Sequence, residues 1–252
     1  MEQNSIGLVV AMAEEVRPIV RRLGAHRKGP AGRFPSYHCR LDGRQVTLIQ
    51  SGMGTEQASE ATEQLIAAAQ PRIIISAGFG GGVCSGLTTG DVVVAGRTLS
   101  LRNGTIADAG PLENARFLHA LAESWPDAPF RIADGTIVTS SSIVQKGAAR
   151  QLLANKVLNP VLDMETSAVA ETAVRSGIPL IAVRAISDPA DEELLFSLEE
   201  ITDRQLNIRI GKVLVAMAKN PRIVPQLIRL AKNAKLAGTN LALVLDKLVR
   251  IA

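Results

Sequence analysis

Aromatic residues are scarce in this chain of 252 residues: one Trp, one Tyr and five Phe. A surface that stacks nucleic-acid bases calls for more rings than that. Cysteine is almost absent. Cys39 and Cys84 lie far apart and share no metal-ligand spacing, so they read as small packing residues in a reducing cytoplasm. No metal and no organic cofactor is expected. The opening "MEQNSIGLVVAMAEEV" has no basic leader, and its apolar stretch is too short for a signal core or a spanning helix. The expectation is a soluble, cytoplasmic protein. Internal repeats and low-complexity segments are also missing. The one glycine-rich stretch, "GFGGG", lacks the Lys-Ser/Thr of a phosphate loop and the spacing of a dinucleotide fingerprint.

What is present is apolar material. Hydrophobic residues make up 46% of the chain, enough for a sizeable core in one large domain. The net charge of +4 is unevenly placed. Residues 220–252 carry six Lys or Arg against one Asp, so the body before them is close to neutral and slightly acidic. That body shows no electrostatic footprint for nucleic acid.

Strand and helix patterns alternate along the body. "SIGLVVAM" reads as a buried strand and "EEVRPIVRRLG" as a helix stopped by Gly24. Asp42-Gly43 marks a hairpin. "TEQASEATEQLIAAA" is a helix, "PRIIISAGFGGG" a strand running into a glycine-rich turn, and "GDVVVAGRTLS" a further strand. A helix is expected around Ala115–Ser124, a strand at "DGTIVTSSSIV", a helix at "GAARQLLAN", a strand then a helix in "NPVLDMETSAVAETAVRSG", and a strand at "IPLIAVRAISD". Another helix is expected over residues 203–217. The pattern predicts an α/β fold of three layers, with a central mixed, mostly parallel sheet flanked by helices and a helical C-terminal extension. The division is residues 1–219 for the body and 220–252 for the extension.

Ligands of open α/β sheets bind beyond the C-terminal strand ends. Glu14-Glu15 follow the first strand, Ser187-Asp188 end the last, and Asp163-Met164-Glu165 open a helix at the same edge. Singly, each acid can serve as a cap, a partner of the helix dipole or a turn former. Together, three acids at one edge suit a site.

Four stretches carry a resemblance: "GLVVAMAEEV", "SGMGTEQASEA", "IISAGFGGGVCSGLTTGDVVVA" and "DMETSAVAETAVRSGIPLIAVRAISDPAD". In this order the chain resembles the nucleoside phosphorylase and nucleosidase superfamily, closest to the 5′-methylthioadenosine/S-adenosylhomocysteine nucleosidase pattern. The resemblance implies cleavage of an N-glycosidic bond in a 5′-substituted adenosine. Asp188 would protonate N7 of the purine, and Glu15 would orient or activate the attacking water. Glu165 would accept hydrogen bonds from the ribose hydroxyls and Met164 would pack on the sugar. Arg184 would help hold the nucleophile. Ser187, Phe79, Gly80, Ile143 and Val144 complete the implied substrate site. The chemistry is coherent, because bond breaking builds positive charge on the sugar and negative charge on the base. A partly apolar pocket around Asp188 would favour its acid form. The partner is a small-molecule purine nucleoside, not nucleic acid, and the family implies a homodimer.

Two departures stand out. Phe79 replaces a serine of the family's G-S-A-G-G turn, and Ile143 stands where the family carries a base-stacking Phe. The phosphorylases' Gly-Asp-Pro is replaced by "AMAEE", which favours water over phosphate. A branch linked to hopanoid lipid synthesis shares the basic, Leu- and Ala-rich tail, so phosphorolysis of an adenosyl-lipid, with phosphate as co-substrate, is the alternative. A non-catalytic nucleoside-binding module is a second. In the tail, Val224, Leu227, Ile228, Ala231 and Ala234 form one stripe, Gly238 is expected to break the helix, and Leu241, Leu245 and Leu248 begin another. These helices pack on the body or a partner subunit, or one of them touches a membrane surface.

Overall fold

The computed structural model describes residues 5–24, 27–125, 127–142, 144, 146–153, 156–190, 215, 219–220 and 223–252. The elements run β1 (Ser5–Val10), α1 (Ala13–Leu23), β2 (Arg27–Ala31), β3 (Phe34–Leu41), β4 (Arg44–Gln50), α2 (Thr55–Ala69), β5 (Ile73–Gly82), β6 (Val92–Arg102), β7 (Thr105–Asp108), α3 (Ala115–Ser124), β8 (Ile132–Ser140), α4 (Lys146–Leu153), β9 (Pro160–Asp163), α5 (Thr166–Arg175), β10 (Leu180–Asp188) and α6 (Val224–Ile251). The helix expected over 203–217 lies outside the described residues.

The ten strands among the described residues join one sheet in the order β10-β6-β8-β9-β5-β1-β4-β3-β2, with β7 on β6. The strand β10 also pairs with β5, so β5, β9, β8, β6 and β10 close into a ring. The sheet is mixed. β1 runs parallel to β4 and β5, β10 to β5, and β8 to β6 and β9. The pairings β2–β3, β3–β4, β6–β7, β5–β9 and β6–β10 are antiparallel. Every residue of β1 is buried, as its unbroken apolar run suggests for a central strand covered on both sides.

The two faces have separate covers. On one, Ile6, Leu8, Ile75 and Val183 meet Val16 and Ile19 of α1, Leu121 of α3, and Leu241, Leu245 and Leu248 of α6. On the other, Val9, Ile49 and Ile74 meet Ala58, Ala61 and Leu65 of α2 and Val169 and Ala173 of α5. Local chemistry sets the boundaries. Gly24 ends α1 in the left-handed conformation at φ 64, with its N–H on the Val20 carbonyl. Asp42 and Gly43 both take positive φ, which turns β3 into β4 with the twist a two-residue hairpin needs.

Two expectations change. The glycine stretch is not a turn after β5: it is the last part of β5 itself, extended through Gly82. Nor does Gly238 break the tail. Residues Val224–Ile251 form one helix of 28 residues, and Gly238 is buried within it. A Cβ there would lie 3.1 Å from Cγ of Pro18 and 3.4 Å from Cζ of Phe79. Glycine in a helix interior costs about 1 kcal/mol relative to Ala. Here its lack of a side chain lets α6 approach α1, and three buried leucines nearby contribute about 1.5–3 kcal/mol each. Asn240 ties the same helix to the sheet by donating to the Gly90 carbonyl at 2.8 Å. Among the described residues no helix is long and apolar enough to cross a membrane.

Candidate active site

The C-terminal ends of β1, β5 and β10 and the β9–α5 junction surround a cavity of about 250 Å³. Its lining includes Glu15, Asp163, Glu165 and Asp188, brought together from three separate places in the chain.

Glu15 lies in the first turn of α1 and is 2% exposed. Its Oε2 accepts the Met12 N–H at 2.8 Å and its Oε1 accepts the Phe79 N–H at 2.7 Å. The first bond caps α1; the second joins the helix to β5 beneath the cavity. Burial pushes the carboxyl above its ordinary range, while the Phe79 and Met12 N–H groups and the Arg184 charge pull it back. A carboxyl raised in this way is a stronger proton acceptor than one in water.

Glu165 precedes α5. Its Oε1 accepts the Gly54 N–H at 2.9 Å, so the "SGMG" segment after β4 forms one wall of the site. Burial, with Asp163 adding repulsion, pushes Glu165 up to about 8; Arg184 and the Gly54 N–H oppose the shift. Met164 and Val144 also line the cavity.

Asp188 owes its direction to an irregularity. The β10–β5 register shifts between Ile186 and Asp188, which sets Asp188 opposite Gly81. Bulges of this kind re-aim a side chain at a strand end. Ser187 sits in the irregularity, and its hydroxyl donates to Asp188 Oδ1 at 2.6 Å. The expected partly apolar surrounding of Asp188 is not found, because Lys146 Nζ stands 2.7 Å from Oδ2.

The glycines of β5 are the imprint of these acids. A Cβ on Gly78 would lie 2.9 Å from Glu15 Oε1, and one on Gly81 2.8 Å from Asp188 Oδ2. At Gly80 it would run into Val161 and the Leu162 carbonyl. Gly78 and Gly81 are three residues apart, so the two carboxyls rest on β5 about 10 Å apart along the strand.

Phe79 engages the site mainly through its backbone N–H. Phe79 is among the lining residues, and its ring packs toward α6, with Cζ beside Gly238. Replacing serine by Phe at this place therefore leaves the N–H bond to Glu15 intact. Ile143 lies outside the described residues; its neighbours Ser142 and Val144 line the cavity.

Arg184 is not on the cavity wall. It is 2% exposed and its guanidinium faces Asp163, with Nε at 3.1 Å and Nη2 at 2.6 Å from Oδ2. It also donates to Ser76 Oγ, Thr166 Oγ1 and the Val183 carbonyl. These bonds tie Arg184 to Asp163 and Thr166 at the β9–α5 junction, next to Glu165. Asp163 receives in addition the Thr139 hydroxyl at 2.6 Å and the Thr166 N–H at 3.0 Å. It is thus both a cap of α5 and the centre of a buried polar network. Sequence reasoning reached only the cap. It did not find Lys146, which no local pattern marks.

Comparison with known proteins bears on this arrangement. A family model described as Phosphorylase superfamily matches residues 5–219. A 5′-methylthioadenosine/S-adenosylhomocysteine nucleosidase of Actinobacillus succinogenes is 31% identical over 208 residues, 77% of this chain and 90% of that protein. A nucleosidase of the same name from an Exiguobacterium species is 27% identical over 229 residues, 85% of this chain and 97% of that one. Among solved structures, the 5′-methylthioadenosine/S-adenosylhomocysteine nucleosidase of Neisseria meningitidis, in complex with methylthio-immucillin-A, has the same fold. The TM-score is 0.74 at 20% identity, covering 99% of this chain and all of that one. The chain belongs to the phosphorylase superfamily and, within it, is similar to the 5′-methylthioadenosine/S-adenosylhomocysteine nucleosidases.

Proposed function

We propose that this enzyme hydrolyses the N-glycosidic bond of a 5′-substituted adenosine and releases adenine. The observation that carries the reading is the pairing of Glu15 and Asp188 at two ends of one stretch of β5, with Glu165 lining the same cavity. Asp188 gives a proton to N7 as the C1′–N9 bond breaks, so the bonding electrons leave with a neutral base. Glu165 holds the ribose hydroxyls, with Met164 against the sugar. Glu15 takes a proton from water as its oxygen bonds to C1′. The sugar leaves with a free anomeric hydroxyl.

Water is favoured over phosphate by the charges. Among the described residues lining the cavity the only cation is Lys146, and it stands at Asp188. A phosphate beside Glu15 and Glu165 would meet no cation there, because the nearby Arg184 is engaged with Asp163. The test is to incubate the protein with methylthioadenosine, S-adenosylhomocysteine and adenosine, with and without phosphate. Adenine release from the 5′-substituted compounds at equal rates in both buffers is expected. Release only with phosphate would mark the phosphorolytic alternative, and no release from any of them would favour a binding module.

Residues 1–219 are proposed as the catalytic body and 220–252 as its extension. The first half of α6 also supports a peripheral membrane contact, because Ile228 and Leu236 are about half exposed beside Lys232 and Lys235. Ile228→Glu with Leu236→Glu should reduce binding to anionic vesicles; unchanged binding would rule the contact out.

A further inference from the structure

Lys146 is the first residue of α4, where the aligned N–H groups of a helix disfavour a positive charge. Its side chain is 12% exposed, so water does not offset that placement. Three oxygens do. Nζ stands 2.7 Å from Asp188 Oδ2, 3.0 Å from the Asp188 carbonyl and 2.6 Å from the Pro189 carbonyl. An ammonium has three protons to donate, and all three have acceptors at one strand end. One turn on, Arg150 donates from Nε to the Val83 carbonyl at 3.1 Å and from Nη2 to the Ala190 carbonyl at 3.0 Å. One face of α4 therefore grips the exit of β10 at three consecutive residues.

The two cations differ in one respect. At this strand end Arg150 donates to the Ala190 carbonyl, whereas Lys146 holds main chain and the Asp188 carboxyl itself. The carboxyl needs such a hold. It follows an irregularity in β10, it is the last residue of that strand, and among the described residues its other oxygen is bound only by the neighbouring Ser187. A proton donor is effective only at hydrogen-bond distance from the atom it protonates.

We propose that Lys146 is the positioning residue for protonation of the leaving base: it fixes the Asp188 carboxyl at the base end of the cavity. The inference rests on the nucleosidase reading above, and its consequence is selective. A purine must be protonated to leave, so its cleavage needs Asp188 in place. A 4-nitrophenyl riboside loses a stable phenolate without a proton, so its cleavage needs only the sugar side of the site, Glu15 and Glu165.

The experiment measures kcat and KM of wild type, Lys146→Met, Lys146→Arg and Arg150→Met with methylthioadenosine and with 4-nitrophenyl β-D-riboside, circular dichroism confirming folding. Lys146→Met should lose about 100-fold in kcat for methylthioadenosine. Its rate of nitrophenolate release should change less than about twofold. Lys146→Arg, which keeps charge and donors, should recover part of the purine rate. Arg150→Met should affect both substrates alike. Parallel loss of both substrates in Lys146→Met, or no loss of either, overturns the lysine proposal and leaves the function standing. Should Lys146→Met not fold, an unchanged ratio of the two substrates in Lys146→Arg overturns it equally. Wild type that cleaves the riboside but not methylthioadenosine overturns the function, and the lysine proposal with it.

Discussion

Asp188→Asn should lower kcat for adenine release by about 10²–10⁴-fold, with little change in KM. The amide has the shape of the carboxyl, and its oxygen can still accept from Lys146 or Ser187, so the end of β10 should keep its form. What it cannot do is pass an acidic proton to N7. Glu15 and Glu165 remain to hold sugar and water, which is why the loss should fall on the chemical step and not on binding. A variant that retains the wild-type rate would remove Asp188 from the reaction and with it the assignment of the base end of the cavity.

The second large effect concerns stability. Arg184→Met should destabilise the fold by about 3–5 kcal/mol, read as a lower midpoint of urea unfolding. Arg184 and Asp163 are both almost wholly buried, and the guanidinium also serves Ser76 and Thr166. Without it the Asp163 carboxylate stays inside with hydroxyls and one N–H but no counter-charge. Adding Asp163→Asn to Arg184→Met should recover part of the loss, because the orphan charge is then gone. An unfolding midpoint equal to wild type in Arg184→Met alone would contradict the view that this pair anchors the β9–α5 junction.

Much of this molecule is written in local patterns. The apolar run at Ser5–Val10 marks a covered central strand, and Asp42-Gly43 marks the β3–β4 hairpin, since both features depend on neighbours in the chain. The helix over Ala115–Ser124 follows from its own periodicity. The acids are also legible, because strand ends in an α/β sheet share an edge. What local pattern does not carry is contact across the chain. The glycines of β5 look like a turn until Glu15 and Asp188 are placed against them. Gly238 looks like a breaker until Pro18 and Phe79 are found on the other side of it. Lys146 meets Asp188 across 42 residues, and no spacing announces such a pair. Arg184, next to the acids in any plausible site, proves to face inward because Asp163 is buried beneath it. The departure at Phe79 is less disruptive than the residue type suggests, since the bond to Glu15 comes from the main chain.

The central claim is that water attacks C1′ of a 5′-substituted adenosine at Glu15 while Asp188 releases the base. It is tested most directly by running the reaction with methylthioadenosine in phosphate-free buffer made with oxygen-18 water and analysing the sugar at once by mass spectrometry. Adenine and free methylthioribose carrying one heavy oxygen at C1′ are the expected products. A sugar phosphate formed only on adding phosphate, or no cleavage at all, would contradict the claim.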